Sequence, residues 1–597
     1  MNLSAPIEIS ERIEAAARLV AIGRQGEAEM LLREVLAHEP GQPDALNAFA
    51  SMALARGDGK RAFEILAAAC TAYPDHAGLL SNLGIAHFML GRASDAVACL
   101  DRAVALAPDE PTFRLSLAQF LTATGELGRA AREIGYVLQR EPRHAAANAQ
   151  LGIVLMTGGD LMRAEAAMRR AVEIAPEDAD TLFNLSKLCA LTGRDKEAAL
   201  LAERAHLRAP LSIDKLLQLA RCRAALGEFD SALEQCKRVL VTAPDHLPAT
   251  ELFARISIVR GAVSSGISTL SQFVRQRGKD PSAILALAGA LRLAGRMEQA
   301  LSFVDQALAL QPDHTFGQRQ PLDLLLTLGR YEEAWRLPSG VRPELPPSVA
   351  VMKGMTAVEA VLLARFIAEL APQGVVVVSD AEPRITSLIA HARGVDPNLA
   401  PAREGEALPL HMLPAALGIR RERISSAGPY LVPDAEKVRR WRQAFADLRR
   451  PLIGVAWDEY PPGILIGMLA PLCERAGTAV SLVFDNARHQ LRDWPKAIDG
   501  GVHFDDPSDM IAAISCLDMV VATDGLPLHV AGALGVPGVA LVACGYPWYL
   551  AASGERSIWH PSLRVIRQAS PGSWEDVLAQ LPDALRVIAS APGAVLQ

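Results

Sequence analysis

The sequence contains no Cys-x-x-C pair and no cysteine–histidine cluster. Its eight cysteines (Cys70, Cys99, Cys189, Cys222, Cys236, Cys473, Cys516 and Cys544) are scattered, which argues against a zinc site or a disulfide framework and suits a reducing compartment. It also lacks a basic excess: 60 Lys and Arg stand against 67 Asp and Glu, a net charge of −7, whereas a nucleic-acid or anionic-membrane surface would show as a basic stripe. Long apolar runs are missing too. The stretch around "VPGVALVACGYPWYLAASG" is broken by Gly and Pro and is too irregular to span a bilayer. The opening residues "MNLSAPIEISERIEAAARL" carry acids and no apolar core, unlike a secretory signal. A soluble, cytoplasmic protein without nucleic-acid or membrane partners is expected. With 50% hydrophobic and 21% charged residues, the 597-residue chain has a globular balance and should divide into about three or four units.

What is present is a period of 34. Proline recurs at Pro40, Pro74, Pro108, Pro142, Pro176, Pro210, Pro244, Pro312 and Pro346, with Gly278 filling the one gap. Twelve residues before each of these ten positions stands a small residue: Ala28, Ala62, Ala96, Ala130, Ala164, Ala198, Ala232, Gly266, Ala300 and Ala334. Five residues earlier again comes an unbroken glycine series from Gly23 to Gly329. Glycine ends a helix through the left-handed conformation, alanine lets a second helix pack closely on the first, and proline stops that second helix. The pattern predicts pairs of antiparallel helices stacked into a superhelix with a long concave surface. The eighth unit, "SIVRGAVSSGISTLSQFVRQRGKDP", fits worst and is expected to be distorted or a hinge.

Stretches such as "NLGIAHFMLGRASDAVACLDRAVALAPDE" resemble the tetratricopeptide (TPR) repeat family, which implies an α-solenoid of about ten repeats over residues 1–348 that binds extended peptides or proteins. One position of the first helix carries Asn82, Ser116, Gln150, Asn184 and Gln218. Asparagines at the equivalent position of O-linked N-acetylglucosamine transferases hold a client backbone, and the resemblance suggests that role here. An amide both donates and accepts, so it can grip a backbone whatever the side chains. The alternative is that these are simply polar residues facing water.

Beyond "VRPELPPSVAV" the period is lost. Apolar runs of strand length, "GVVVVSD", "PLIGVAW", "AVSLVFD", "MVVATD", "GVALVA" and "LRVIRQ", alternate with helical stretches such as "SDMIAAISCL". Continuous Val/Leu/Ile runs between helices predict parallel sheet covered on both faces. Two lobes are expected, 349–450 with a charged linking helix at "VPDAEKVRRWRQAFADLRR", and 451–597. Ligands in such folds sit at the carboxyl ends of strands, where Asp458, Asp485 and Asp524 fall, so the cleft between the lobes is the expected site.

The segments "GPYLVPDAEKVRRWRQAFADL…PLIGVAW", "DPSDMIAAISCLDMVVATDGLPLHVAGALGVPGVALV" and "SIWHPSLRVIRQASPGSW" resemble the heptosyltransferase-like branch of the GT-B glycosyltransferases. With the repeats, the arrangement resembles that of O-linked N-acetylglucosamine transferase and of TPR-containing flagellin glycosyltransferases, which use a nonulosonic sugar such as pseudaminic acid. This implies a two-lobed α/β GT-B-like domain that moves a sugar from a nucleotide-sugar to Ser or Thr of a protein client, flagellin by resemblance, without metal or cofactor. The family's D-T-A-x-x-H turn falls on Asp524 to His529. Backbone N–H groups at Gly525, Leu526 and Leu528 would face the donor phosphate, with His529 touching phosphate or sugar, Asp524 bracing the turn, and Asp485 and Trp548 lining the donor side. As a bare strand–turn–helix, the same residues read as an N-cap and a packed histidine.

Departures from the family weigh on catalysis. Its Gly-x-Gly-Asp turn survives only as "GMTAVEAVLLARF", where the acid's place falls on Glu359, a candidate base and otherwise a solvated helix residue. The loop "DEYPPGILIGMLAPL" is short and acidic instead of basic, and "GYPWYLAASGERSIWHP" keeps Trp548, Trp559 and Pro561 but has no arginine before Arg556. A non-catalytic TPR scaffold or export chaperone is the alternative to a transferase. A transferase acting on lipopolysaccharide or a small glycan is a third reading.

Overall fold

The ten glycines of the 34-residue series all adopt positive φ, between 71° and 86°. This is the left-handed turn that closes one helix so that the next can return alongside it. The computed structural model describes residues 6–314, 320–335, 347–352, 354–370, 373–401, 407–425, 428–457, 466–484, 486–545, 547–550 and 554–590. The chain forms two compact units, Met1–Gln218 and Leu219–Gln597, and the division falls inside the helix Ile213–Ala225.

The first unit is a run of helix pairs, from Pro6–Ala21 with Gln25–His38 to Ala179–Leu191 with Asp195–Arg208. His76, His144 and Asp178 cap first helices, each side chain accepting a backbone N–H three residues on, which satisfies donors that the helix itself leaves open. Ala28, Ala62, Ala96, Ala130, Ala164 and Ala198 have no exposure at all. At these contacts an added methylene would overpack, typically at a cost of about 1–3 kcal/mol. Each second helix of this unit ends two residues before its proline.

The second unit begins with the same pattern in the helices Phe229–Thr242, Leu247–Val259, Val263–Arg277, Pro281–Leu293 and Met297–Leu310. The eighth repeat, expected to be distorted, keeps both of its helices. A Cβ on Gly266 would lie 2.6 Å from the Ala254 carbonyl oxygen and 2.7 Å from Ile258 Cγ1, so the pair packs too closely for the usual alanine. Where proline is missing, the helix runs on to Arg277 and stops at Gly278, φ 66°. The tenth repeat is described in Gln320–Thr327 and Tyr331–Ala334.

Two parallel sheets follow. The first holds β1 (Ser348–Val351), β2 (Val376–Ser379), β3 (Ala400–Pro401) and β4 (Leu408–Pro409) in the order β3-β2-β1-β4. The second holds β5 (Leu452–Ala456), β6 (Thr478–Ser481), β7 (Ile498–Asp499), β8 (Met519–Ala522), β9 (Gly538–Val542) and β10 (Leu563–Arg567) in the order β10-β9-β8-β5-β6-β7. Every pairing is parallel. Strands β5, β8 and β9 are buried at every residue, as a sheet covered on both faces requires. The six expected apolar runs supply β2, β5, β6, β8, β9 and β10. The central β1 and the two-residue strands β3, β4 and β7 are additions: two residues carry no periodic signal, and β1 follows directly on the prolines of "ELPPSVAV".

The linking helix forms over Ala435–Ala444 and packs on Pro507–Ile514. There Lys437 and Arg440 both reach the buried carboxylate of Asp509, at 3.0 and 2.7 Å. Leu326 and Tyr331 of the tenth repeat share one buried cluster with Val349, Phe366 and Trp559. The repeats after 218 therefore belong to the same compact unit as the sheets, and position 348 marks a change of sequence pattern within it.

Candidate functional site

Written by strand order alone, the second sheet runs 3-2-1-4-5-6, with β5 as strand 1 and β8 as strand 4. The chain leaves β5 toward one side and β8 toward the other, which opens a crevice at their carboxyl ends where doubly wound folds bind ligands. The residues after β8 are Thr523, buried and donating its N–H to the Ala456 carbonyl at 3.2 Å, then Asp524 and Gly525. Gly525 is the N-cap of the helix Leu526–Leu534, and no side chain caps that end. The N–H groups of Leu526 and Leu528 thus belong to an uncapped, positive helix terminus beside the switch point, while Pro527 fits the first turn.

Asp524 is half-buried and held on both oxygens. His529 Nε2 lies 3.1 Å from Oδ1, and the Tyr549 hydroxyl donates to Oδ2 at 2.9 Å. His529 itself has no exposure. Its Nδ1 lies 3.1 Å from His560 Nε2, and its ring meets Tyr549 edge-on at 4.7 Å. Burial, and then the neighbouring His529 and Arg365, hold His560 well below the usual imidazole range, so it stays neutral. A carboxylate only accepts, so His529 donates from Nε2 to Asp524. The two rings thus form a buried chain that ends on Asp524.

The expected contact between His529 and a donor phosphate is therefore corrected: a ring with no exposure and both nitrogens engaged acts on a ligand only through Asp524. Behind it, Gly532 leaves room for His560; a Cβ there would lie 2.5 Å from His560 Cβ and 2.6 Å from its Nδ1. The helix Ala357–Leu370 packs against Leu526–Leu534. Its buried Arg365 donates to the Ile424 carbonyl at 2.7 Å and to the Trp559 carbonyl, with its guanidinium 5.0 Å from the Tyr430 ring centre and 5.1 Å from that of Trp559. Where a cleft between lobes was expected, these two helices meet directly.

Glu359 has a structural task. Its Oε2 accepts the Thr356 N–H at 3.1 Å and hydroxyl at 3.0 Å, while Thr356 Oγ1 accepts the Glu359 N–H at 3.2 Å. This reciprocal capping box opens the helix Ala357–Leu370, and T-x-x-E is its sequence signature. Glu359 also lines a cavity of about 390 Å³ with Trp335, Met355 and His411. Asp458 and Asp485 lie outside the described residues. Trp548 opens the short 3-10 turn Trp548–Leu550, and its side chain lies outside them as well.

Of the amide row, Asn82 donates to Asn47 Oδ1 at 2.8 Å, and Gln218, only 6% exposed, donates to Ser186 Oγ at 3.2 Å. Gln218 is thus buried among the repeats, against its assignment as a client contact, whereas Asn82 is half-buried. Ser116 and Asn184 are half-buried without a side-chain hydrogen bond among the described residues, and Gln150 Oε1 is buried without a partner there. Sequence reasoning missed His560, Tyr549 and Arg365. His560 sits in the quoted "SIWHP", but its link to His529 spans 31 residues and has no local signal.

Profiles of the tetratricopeptide-repeat family match residues 53–120 and 149–211. No curated protein sequence matches the chain. Among solved structures, it is similar to the Cut9–Hcn1 hetero-tetramer of the APC/C (13% identity, 54% of this chain and 57% of that one, TM-score 0.39). It therefore spans little more than half the length of that relative. It is also similar to a tetratricopeptide repeat protein of Parabacteroides merdae (15%, 41% and 97%, TM-score 0.35) and a TPR protein of Thermus thermophilus (21%, 30% and 98%, TM-score 0.28). None of the described helices is long and apolar enough to cross a membrane. The matched profiles, the 34-residue period and the paired helices together make this a TPR-containing protein, with a parallel α/β region behind its repeats.

Proposed function

We propose that the chain is a cytoplasmic protein O-glycosyltransferase, with the repeats as client holder and the α/β region as a GT-B-like transferase. The observation that carries this reading is the uncapped helix terminus at Gly525, lying at the topological switch point beside a carboxylate fixed by the buried His529 and the half-buried Tyr549. Such a terminus suits the phosphate of a nucleotide-sugar, and the family resemblance of the 524–529 turn points the same way. In this reading a client Ser or Thr hydroxyl attacks the anomeric carbon, a new C–O bond forms, the bond to the nucleotide phosphate breaks, and the phosphate leaves toward Leu526 and Leu528. The hydroxyl proton passes to a base, for which Glu359 is the candidate carried by resemblance; to serve, it must exchange its Thr356 contacts for the acceptor. Most of the acceleration then comes from positioning and from stabilising the leaving charge. Asn82, Ser116, Gln150 and Asn184 are the amide-row positions available to hold a client backbone. By the same resemblance, the client is flagellin and the sugar a nonulosonic acid.

The test is the intact mass of partners co-purified on the full-length protein, from cells carrying wild type or Asp524→Ala. Loss of discrete sugar-sized increments in the variant supports transfer, and the increment names the sugar. The capping task of Glu359 and the full burial of His529 favour a second reading, a TPR scaffold without chemistry. A partner bound at unchanged mass in both strains selects it.

A further inference from the structure

Across the repeats, many arginines are tied to carboxylates: Arg169 to Glu197 at 2.6 Å, Arg194 to Glu165 at 2.6 Å, Arg260 to Asp230 and Arg277 to Asp245. Arg221 and Arg255 are among those that are not. They stand 34 residues apart, at the same register of the seventh and eighth repeats, three residues after Gln218 and Leu252. Both are exposed, and neither has an ion pair or hydrogen bond among the described residues. They line one cavity of about 410 Å³ whose walls are otherwise mainly apolar, with Phe229, Leu252 and Leu293 among them and Glu251 as the only acid. Along this row the amide gives way to Leu252, so the wall here is apolar and cationic.

The cavity also has a defined position. Gly545, in the turn after β9, approaches Leu293 so closely that a Cβ would lie 2.9 Å from its Cα, and Gly572, after β10, abuts the Val259 carbonyl. Leu293 and Val259 both line the cavity. It therefore adjoins loops at the carboxyl edge of the second sheet, the edge that carries the Asp524 turn.

We propose that this cavity is an anchoring subsite for a client segment in which an acidic residue adjoins a large apolar one. The apolar side chain fills the wall around Leu252, and the carboxylate lies between Arg221 and Arg255, whose planar forks bind carboxylates in paired hydrogen bonds. Glu251 repels a second acid, so the subsite selects a single acid and not an acidic run. A nucleic acid would need more cations than this cavity offers, on a chain of net charge −7. The proposal deepens the client-binding part of the proposed function, and its test needs no sugar transfer, so either can fail alone.

The experiment uses the full-length protein and an array of short Gly/Ser-rich peptides with a central Leu-Glu, Phe-Glu or Leu-Asp pair, beside Leu-Gln and Gly-Glu counterparts. Fluorescence anisotropy then ranks labelled versions. The expected result is preference for the acid-plus-apolar pairs. In Arg221→Ala/Arg255→Ala that affinity falls about tenfold or more, the equivalent of one or two charge-assisted hydrogen bonds, with unchanged melting because both side chains are exposed. Arg221→Lys/Arg255→Lys recovers part of it. Equal binding of Leu-Glu and Leu-Gln, no binding at all, or indifference to the alanine pair would overturn the proposal. So would tighter, arginine-dependent binding of a labelled oligothymidylate, which reassigns the cavity to nucleic acid.

Discussion

Replacing Gly532 by alanine tests the buried chain behind Asp524 at its tightest point. The new Cβ would lie 2.5 Å from His560 Cβ and 2.6 Å from Nδ1, well inside van der Waals contact, with the fully buried Trp559 next in the chain. Overpacking costs about 1–3 kcal/mol. Displacing His560 also leaves His529 Nδ1 buried without its partner, about 1–3 kcal/mol more. Exchanging glycine for alanine within a helix returns about 0.5–1 kcal/mol. The net is a destabilisation of about 3 kcal/mol, or about 4 °C in the melting of a unit as large as Leu219–Gln597. The assay is thermal and urea unfolding of the full chain, with near-ultraviolet circular dichroism reporting on the tryptophans. A His560→Ala background sharpens it. With the ring gone, Gly532→Ala should become neutral or slightly stabilising, so the two sites should couple by about 3 kcal/mol. A shift of under about 1 °C in the wild-type background, or the same shift in both, would refute the packing argument, since the three atoms nearest a Cβ at that position all belong to His560.

Other outcomes follow from the same geometry. A fragment 219–597 should unfold cooperatively, whereas 349–597, which strips Leu326 and Tyr331 from the shared core, should melt far lower or aggregate; equal melting of the two would contradict a common unit. Gly266→Ala should cost about 1–3 kcal/mol through contact with Ala254 and Ile258, although alanine fills the same register in the other nine repeats; unchanged urea midpoints would refute it. The depressed titration of His560, which faces His529, Arg365 and Tyr430, means that the unfolded chain binds the extra proton first. Its contribution to stability should therefore be constant above about pH 6.5 and fall by up to about 1.4 kcal/mol per unit below it; a His560→Gln variant with an equally steep acid limb would count against this. Glu359→Gln, whose amide oxygen still accepts from Thr356, should leave stability nearly unchanged, whereas Glu359→Ala should lower it by about 1 kcal/mol through loss of the capping box. In any transfer assay, a loss of about a hundredfold or more without matching destabilisation would assign Glu359 to the chemistry.

The 34-residue period was legible because every repeat solves the same local problem: a left-handed turn, a close helix contact and a stop. Glycine, alanine and proline answer these in place, within one helix pair. The long buried strands were legible for the same reason, since β5, β8 and β9 lie inside a sheet covered on both faces and need continuous apolar side chains. Short strands had no such signature. β3, β4 and β7 are two residues each, and β1, central in its sheet, is recognised only by its pairing with β2 and β4, at residues 376 and 408. The turn at Asp524 could be found from its residues, but the state of His529 could not. Its burial depends on His560 and Tyr549 from a distant loop, and on an interlocking helix that carries Arg365. Where the compact units divide was likewise settled by contacts between the last repeats and the sheets, beyond the reach of any repeat pattern. Local conformational demands are written residue by residue, whereas burial and charge environment are sums over whatever the fold brings near. The solenoid was thus determined by the sequence itself, and the burial of His529 and the shared cavity of Arg221 and Arg255 were decided only in three dimensions.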